Sequence, residues 1–92
     1  MTSYKIITTK EFDKEFKKLD NSVKLVVLKY LKKLESSDNP KSYGKELTGN
    51  FVGLFRFRVN NYRIITKFED KKLIIYALGI GHRSTIYKRF RV

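Results

Sequence analysis

Hydrophobic residues in the first half of the chain recur at helical spacing. Phe12, Phe16 and Leu19 stand at positions i, i+4 and i+7, so they share one face of a helix. Thr8 or Thr9 can cap the start of this helix with its hydroxyl oxygen. The pattern therefore predicts an amphipathic helix that begins just after these threonines.

A second predicted helix follows a polar break at residues 20–22, whose side chains can cap it. It stops at residues 36–40, because Pro40 cannot continue a helix. The short break between the two helices predicts an antiparallel helical hairpin. The core face of the second helix is expected to carry Val23, Val27, Tyr30, Leu31 and Leu34.

The period changes to two in the second half, which is typical of β-strands. Residues 54–59 alternate between apolar and basic side chains, and residues 62–68 return as a second strand. Asn60 and Asn61 suit the two-residue turn between them, because asparagine tolerates positive φ. These residues predict a β-hairpin.

A last strand is predicted at residues 73–78, where a continuous apolar run is typical of a central strand covered on both faces. We expect Gly79, Ile80 and Gly81 to end it. Residues 4–7 predict a short first strand, either central or at an edge. Residues 37–50 are expected to form a loop that Leu47 anchors in the core.

The predicted order is β-α-α-β-β-β followed by a tail at residues 82–92, in a single domain spanning residues 1–92. Strands grouped after helices predict an α+β fold, a two-layer sandwich with the helical hairpin packed on one face of an antiparallel sheet. The strand arginines then point to the other face. The core between the layers is expected to contain Phe12, Phe16, Leu31, Phe57 and Ile75.

The charge suggests what this other face binds. The chain has 21 basic and 9 acidic residues, a net charge of +12, and residues 41–92 carry 12 basic and 3 acidic residues, a net +9. Arginine suits planar, bidentate recognition of phosphate, so nucleic acid is the first candidate partner and an acidic protein the second. All six arginines lie in this half: Arg56, Arg58, Arg63, Arg83, Arg89 and Arg91.

Several classes of function are excluded by composition. The chain has no cysteine, so disulfides, thiolate metal sites and cysteine nucleophiles are ruled out. No paired acids suit two-metal chemistry and no Ser-His-Asp signature or Walker loop is present, so we expect no metal and no cofactor. No apolar run approaches the roughly 20 residues of a membrane span, and the first residues do not resemble a signal peptide. A cytoplasmic protein without membrane contact is expected.

Three arginines of the predicted hairpin, Arg56, Arg58 and Arg63, converge on one sheet face, since cross-strand neighbours lie about 5 Å apart. Positive charges so placed repel one another but can hold a bent phosphate backbone. The alternative is that they are only solvated charges on an exposed face. Tyr62 and Tyr87 can stack on bases, although a tyrosine is more often a half-buried core residue.

The only histidine, His82, follows the last strand, where such sheets present functional groups. Its ordinary pKa suits proton transfer near neutral pH. A lone histidine is also often a plain surface residue, so both interpretations stay open.

Taken together and in order, these features cover nearly the whole chain and carry a family resemblance. The motifs are a Phe-x-x-x-Phe-x-x-Leu helix, Lys45-Glu46-Leu47-x-Gly49, Leu54-Phe55-Arg56-Phe57-Arg58-Val59-x-x-Tyr62-Arg63-Ile64-Ile65 and Gly81-His82-Arg83-Ser84-Thr85-Ile86-Tyr87. The chain resembles the RelE-type toxins of the RelE/ParE superfamily. These are small basic ribosome-dependent mRNA endonucleases of bacterial and archaeal toxin–antitoxin pairs.

The resemblance implies a RelE-like fold and cleavage of mRNA in the ribosomal A site, beside rRNA. The substrate's own 2′-hydroxyl is the nucleophile in this chemistry, so neither a metal nor a protein nucleophile is needed. Arg56 and Arg58 correspond to the family's two basic strand residues and Arg63 to its phosphate-stabilising arginine. Arg83 corresponds to a tail arginine that stabilises phosphate or acts as general acid. Tyr87 corresponds to a tail tyrosine that orients or stacks on the mRNA.

The candidate site residues fall into two groups. The predicted catalytic residues are Arg58, Arg63, His82, Arg83 and Tyr87. The predicted RNA-binding residues are Arg56, Lys67, Lys88 and Arg89.

One departure from the family concerns proton transfer. Some members have lysines where this chain has Arg56 and Arg58, and an arginine effectively cannot lose its proton. Arg58 is therefore a poor general base. His82, Tyr87, rRNA or solvent could take that role instead.

Two other functions stay open. ParE-like relatives share the fold but act on DNA gyrase, so the chain could inhibit a topoisomerase. It could also be a non-catalytic RNA- or ribosome-binding module. The Gly-His-Arg tail with its tyrosine favours the nuclease. For a toxin, the expected partner is an acidic cognate antitoxin in a toxin–antitoxin hetero-oligomer.

Overall fold

The computed structural model describes residues 3–90, in which five strands form one sheet. The order across the sheet is β1-β5-β4-β3-β2. β1 pairs parallel with β5 and the other neighbours pair antiparallel, so the sheet is mixed. The strands are β1 (Lys5–Thr8), β2 (Lys45–Glu46), β3 (Leu54–Val59), β4 (Tyr62–Glu69) and β5 (Ile74–His82).

Three helices complete the described chain: α1 (Lys10–Lys17), α2 (Asn21–Ser36) and α3 (Ile86–Arg89). Short 3-10 turns lie at Pro40–Tyr43, Gly49–Phe51 and Asp70–Lys72. No helix within residues 3–90 is long and apolar enough to cross a membrane. The predicted α+β class with a helical hairpin on a sheet is confirmed. The prediction of an antiparallel sheet is wrong for one pair, because β1 runs parallel to β5. Of the two positions left open for β1, the structure has the edge.

The start of α1 is fixed by Thr9, as predicted. Its hydroxyl oxygen accepts a hydrogen bond from the Phe12 amide at 3.2 Å, and the same hydroxyl lies 3.2 Å from the Ala77 carbonyl oxygen of β5. The α2 cap differs from the prediction, because Asp20 occupies the capping position without a side-chain hydrogen bond. The two helices nevertheless form the predicted hairpin.

The core between the helical hairpin and the sheet contains all five predicted residues. Phe12, Leu31, Phe57 and Ile75 are buried, and Phe16 is half-buried and packs against them. A second, smaller core lies on the opposite face of the sheet, under α3. It is made of Leu47, Ile65, Ile86 and Phe90.

The last strand is longer than the sequence indicated. The prediction that Gly79 and Gly81 end β5 is wrong, because the strand continues to His82 and both glycines pair with β4. They lie beneath α3, where a Cβ on Gly81 would approach Ile86 to 3.2 Å and one on Gly79 would approach Phe90 to 3.0 Å. These glycines make room for the helix on the sheet.

Two other segments also differ from their predictions. The loop at residues 37–50 contains the two-residue strand β2, which is too short to show a period of two, although Leu47 is buried as expected. The predicted tail contains α3, and this helix covers part of the face that was expected to be open. The last two tail residues, Arg91 and Val92, lie outside the described residues.

Candidate functional site

The sheet surface opposite the helical hairpin carries a row of positive side chains. Alternation along β3 directs Arg56 and Arg58 away from the buried Phe57, and Arg58 stands directly opposite Arg63 of β4. Lys67 lies farther along β4 on the same surface and is exposed. We call the surface formed by Arg56, Arg58, Arg63 and Lys67 the basic face.

Arg56, which lies between Lys67 and the Arg58–Arg63 pair in the strand register, contacts the tail helix. Its Nη1 donates a hydrogen bond to the Tyr87 hydroxyl oxygen at 3.2 Å. Because that oxygen accepts from Arg56, the tyrosine O–H is left to donate elsewhere. The Arg56 Nε is buried and has no hydrogen-bond partner among residues 3–90.

A groove of about 450 Å³ opens beside this pair, between β2 and α3. Lys45 stands opposite Arg56 in the strand register and belongs to the rim of the groove. Sequence analysis missed Lys45 as a site residue, because a two-residue strand gives no periodic signal. The groove is lined by Lys45, Glu46, Leu47, Thr48, Arg56 and Tyr87.

Arg63 and Arg83 both contact the β3–β4 turn, at one end of the row. The Arg63 Nη1 donates to the carbonyl oxygens of Asn60 (3.1 Å) and Tyr62 (2.9 Å). The Arg83 amide donates to the Asn61 carbonyl oxygen at 2.7 Å, and the Arg83 side chain is exposed. The turn therefore brings two predicted phosphate-stabilising arginines to the same end of the sheet.

His82 is not brought to the basic face. It pairs with Tyr62 in the register, whereas Arg63 pairs with Gly81, so alternation directs His82 to the opposite side of the sheet. Its ring lies 5.8 Å from the Tyr62 ring, and its Nδ1 lies 2.7 Å from the Ser84 hydroxyl oxygen and accepts from the Ser84 amide at 3.2 Å. The sequence placed His82 beside Arg83 along the chain but could not show this direction.

The two remaining predicted RNA contacts lie on α3. Lys88 is exposed. Arg89 is engaged within the protein, since its Nη2 pairs with the Glu15 carboxylate at 2.9 Å and donates to the Leu78 carbonyl oxygen at 3.0 Å. The structure therefore gives Arg89 structural contacts that the sequence did not reveal.

Within residues 3–90, the basic face has no acidic partner. The ion pairs found within residues 3–90 are Lys41–Asp70 and Arg89–Glu15, and neither includes an arginine of this face. The same residues contain no cluster of three histidine or acidic side chains that could hold a metal ion. This arrangement can bind and stabilise phosphate groups by electrostatics and hydrogen bonds.

Comparison with known proteins supports the resemblance seen in the sequence. A family model described as "ParE toxin of type II toxin-antitoxin system, parDE" matches residues 6–87. Toxin RelG of Mycobacterium tuberculosis is 32% identical over 53 residues, which cover 58% of this chain and 61% of RelG. The match thus spans less than two thirds of the length of that relative.

Solved structures extend the likeness to the whole fold. A chain of the RelBE2 toxin–antitoxin complex from M. tuberculosis superposes with a TM-score of 0.81 at 23% identity, covering 88% of this chain and 99% of that chain. A chain of the archaeal RelE–RelB complex from Pyrococcus horikoshii gives 0.71 at 26% identity, with coverage of 92% and 99%. The isolated Escherichia coli RelE toxin gives 0.71 at 21% identity, with coverage of 96% and 95%.

These similarities confirm the predicted relationship to the RelE/ParE superfamily. The family model runs from β1 to Tyr87 of α3, so it includes the helical hairpin and the whole basic face. The solved structures share the mixed sheet and its helices. The chain therefore belongs to the ParE toxin family of type II toxin–antitoxin systems, within the RelE/ParE superfamily.

Proposed function

We propose that this toxin is a ribosome-dependent mRNA endonuclease that needs no metal and inhibits translation by cutting mRNA in the ribosomal A site. The observation that carries the proposal is the basic face, where Arg56, Arg58 and Arg63 converge without acidic partners among the described residues. Like charges placed directly opposite each other destabilise a sheet. Binding of a polyanionic ligand such as RNA would neutralise these clustered positive charges.

In the proposed reaction the substrate's 2′-oxygen attacks the adjacent phosphorus and the 5′-oxygen leaves. The products are a 2′,3′-cyclic phosphate and a 5′-hydroxyl. Charge builds on the phosphoryl oxygens in the transition state, and Arg58, Arg63 and Arg83 are proposed to stabilise it. Arg56 and Lys67 are proposed to bind the RNA backbone, together with Lys88 of the tail. Arg89 is left out of this group because its guanidinium is engaged within the protein.

The structure supports fewer proton-transfer residues than the sequence analysis named. The Tyr87 hydroxyl accepts from Arg56 and keeps its own proton to donate, which supports a role as general acid toward the leaving 5′-oxygen. His82 projects from the opposite side of the sheet, which supports rRNA or solvent as the base that takes the 2′-proton. An arginine does not serve as base.

The proposed partners follow from this activity. The toxin binds mRNA and rRNA, which implies a cytoplasmic protein, and an acidic antitoxin holds it inactive in a hetero-oligomer. Solved relatives from M. tuberculosis and P. horikoshii are toxin–antitoxin complexes. The basic face offers the electrostatic complement to an acidic partner.

The test is a reconstituted translation reaction with primer extension on the mRNA. We expect cuts that need ribosomes and leave 5′-hydroxyl ends. Arg58→Ala should abolish the cuts. Lys29→Ala is the matched control, because it removes one positive charge from an exposed position on α2. RNA binding without cuts would contradict the nuclease and support the alternative function of a non-catalytic RNA- or ribosome-binding module.

A second candidate is inhibition of DNA gyrase, as proposed for ParE-like relatives. The description of the matching family model as a ParE toxin favours it. A supercoiling assay with purified gyrase separates the two functions. Inhibition of supercoiling without mRNA cleavage would replace the nuclease by this candidate.

A further inference from the structure

The tail helix that carries Tyr87 cannot hold its own position. α3 has four residues, and isolated helices shorter than about 12–15 residues are marginal in water. Contacts with the rest of the molecule must therefore fix it. Ile86 and Phe90 supply apolar contacts, since both are buried over Ile65 and Leu47.

Arg89 supplies polar contacts in addition to the hydrogen bond between Arg56 and the Tyr87 hydroxyl. Its Nη2 donates to Glu15 Oε1 of α1 at 2.9 Å and to the Leu78 carbonyl oxygen of β5 at 3.0 Å. The same Glu15 Oε1 accepts from the Ile80 amide at 3.1 Å. A single carboxylate oxygen thus joins α3, α1 and the last strand.

Gly79 makes this junction possible. A Cβ at this position would collide with the Arg89 guanidinium and would lie 3.0 Å from Phe90 Cε2. The guanidinium also lies over the Phe90 ring, with Cζ 4.4 Å from the ring centroid. The arginine is therefore seated between the strand backbone and an aromatic ring.

We propose that Arg89 is a positioning residue, which acts through Glu15 to hold α3 so that the Tyr87 hydroxyl meets Arg56. Tyr87 stands two residues before Arg89 on the same short helix, so release of Arg89 frees the tyrosine from the groove. This inference rests on the proposed function for its catalytic consequence. It differs from a direct RNA contact, which was the role predicted for Arg89 from the sequence.

The two roles of Arg89 predict opposite effects for a change on α1. Glu15→Gln keeps an oxygen for the Ile80 amide but removes the charge that pairs with Arg89. A positioning role predicts a lower cleavage rate at saturating ribosomes, by about 10- to 100-fold, because misplacing a reacting group by about 1 Å has that cost. A direct RNA contact predicts an unchanged or higher rate, because one negative charge is lost.

Arg89→Gln and the Arg89→Gln/Glu15→Gln double variant complete a double-mutant cycle with Glu15→Gln. For a positioning pair, the double variant is no slower than the slower single variant, and the half-saturating ribosome concentration changes by less than about threefold. Glu11→Gln, which removes the same charge from an exposed position on α1, is the control and should cleave like the wild type. A large rise in the half-saturating concentration for Arg89→Gln, with wild-type cleavage by Glu15→Gln, would overturn the inference.

Hydrogen exchange tests whether Arg89 and Glu15 hold α3 in place, and this test needs no nuclease activity. In Glu15→Gln and Arg89→Gln, the amides of Lys88 and Phe90 should exchange at least tenfold faster, while those of central strand β4 stay protected. Gly79→Ala should do the same by displacing the guanidinium. Unchanged exchange at α3 in all three variants refutes the inference, even if the wild type proves not to cut mRNA. Faster exchange with wild-type cleavage refutes the positioning role alone.

Discussion

At the scale of single residues, Arg58 and Arg63 are a pair that stability does not explain. They stand directly opposite each other in β3 and β4, and like charges so placed are destabilising. Arg63 relieves part of this by donating to the carbonyl oxygens of the turn. Arg58 is exposed and keeps its charge toward solvent.

Replacing Arg58 by threonine should therefore not weaken the fold. We expect Arg58→Thr to leave the free energy of unfolding unchanged or to raise it by about 0.2–1 kcal/mol, because the repulsion is removed and threonine suits a strand. The gain should shrink in high salt, which screens the charges. Urea unfolding at two salt concentrations checks this, and a clear loss of stability would show that the arginine supports the sheet.

Arg83 offers a clean test of function because its side chain is exposed. Arg83→Ala should change the free energy of unfolding by no more than about 0.5 kcal/mol. It should lower mRNA cleavage by about 10²–10³-fold, the usual cost of losing one transition-state charge partner. Full cleavage by a folded variant would remove Arg83 from the site. Arg63→Ala should also lose cleavage, and it should lower stability because it removes two hydrogen bonds to the turn.

At the scale of elements, α1 anchors the hairpin through two phenylalanines. Phe12 is 2% exposed, whereas Phe16 is half-buried, and their rings stack at 5.9 Å. We expect Phe12→Ala to lower the free energy of unfolding by ~3–5 kcal/mol and Phe16→Ala to lower it by less, because less surface leaves water there. Urea unfolding of both variants measures the difference. A larger loss for Phe16 would contradict the packing of this helix.

The β4–β5 turn is held by Asp70, which gives the fold a dependence on acid pH. Hydrogen bonds from Lys41 (2.8 Å) and Tyr4 (2.7 Å) lower the pKa of Asp70. A carboxylate with a lowered pKa in the folded state stabilises the protein above its unfolded pKa of about 4 and loses this contribution as pH falls. The hydrogen bond between Tyr4 and Asp70 raises the pKa of Tyr4, and burial of Tyr4 raises it further.

We therefore expect the wild type to lose stability as the pH is lowered below about 5. Asp70→Asn should be less stable than the wild type at neutral pH and should show a flatter decline with acid. Thermal unfolding from pH 7 to pH 3 measures both curves. Parallel curves would mean that another carboxylate causes the acid loss.

At the scale of the whole molecule, the charge is divided between two surfaces. α1 and α2 carry lysines and acidic residues, while β3, β4 and the tail carry the arginines. A net charge of +12 works against a compact state, so a partner of opposite charge would stabilise the molecule. An acidic chain with apolar anchors would match the basic face and its groove.

We predict a small acidic antitoxin encoded beside the gene. Co-expression of the neighbouring open reading frame should restore growth to cells that produce the active toxin, and the complex should weaken as salt is raised. A growth assay with and without the neighbour measures this. If no adjacent gene restores growth, the chain acts without a paired antitoxin.

Local signals in the sequence determined most of the elements. The helical spacing of Phe12, Phe16 and Leu19, the threonine cap and the two-residue asparagine turn each depend on neighbours within a few positions. Asn60 indeed adopts a φ of 55°. The same locality placed Arg56 and Arg58 on the outer face, because side chains alternate along any strand.

Contacts between distant segments decided the rest. β2 exists because Lys45 and Glu46 meet β3, and β5 continues through Gly79 and Gly81 because α3 lies over them.

The candidate site also depends partly on local sequence and partly on tertiary contacts. The sequence alone determined the kinds of residue available for phosphate chemistry, because composition and alternation are local properties. Only the tertiary structure decided that Tyr87 joins Arg56, that His82 faces away and that Arg89 pairs with Glu15 across 74 positions of the chain. Such pairings depend on how whole elements pack, and no short-range pattern records that.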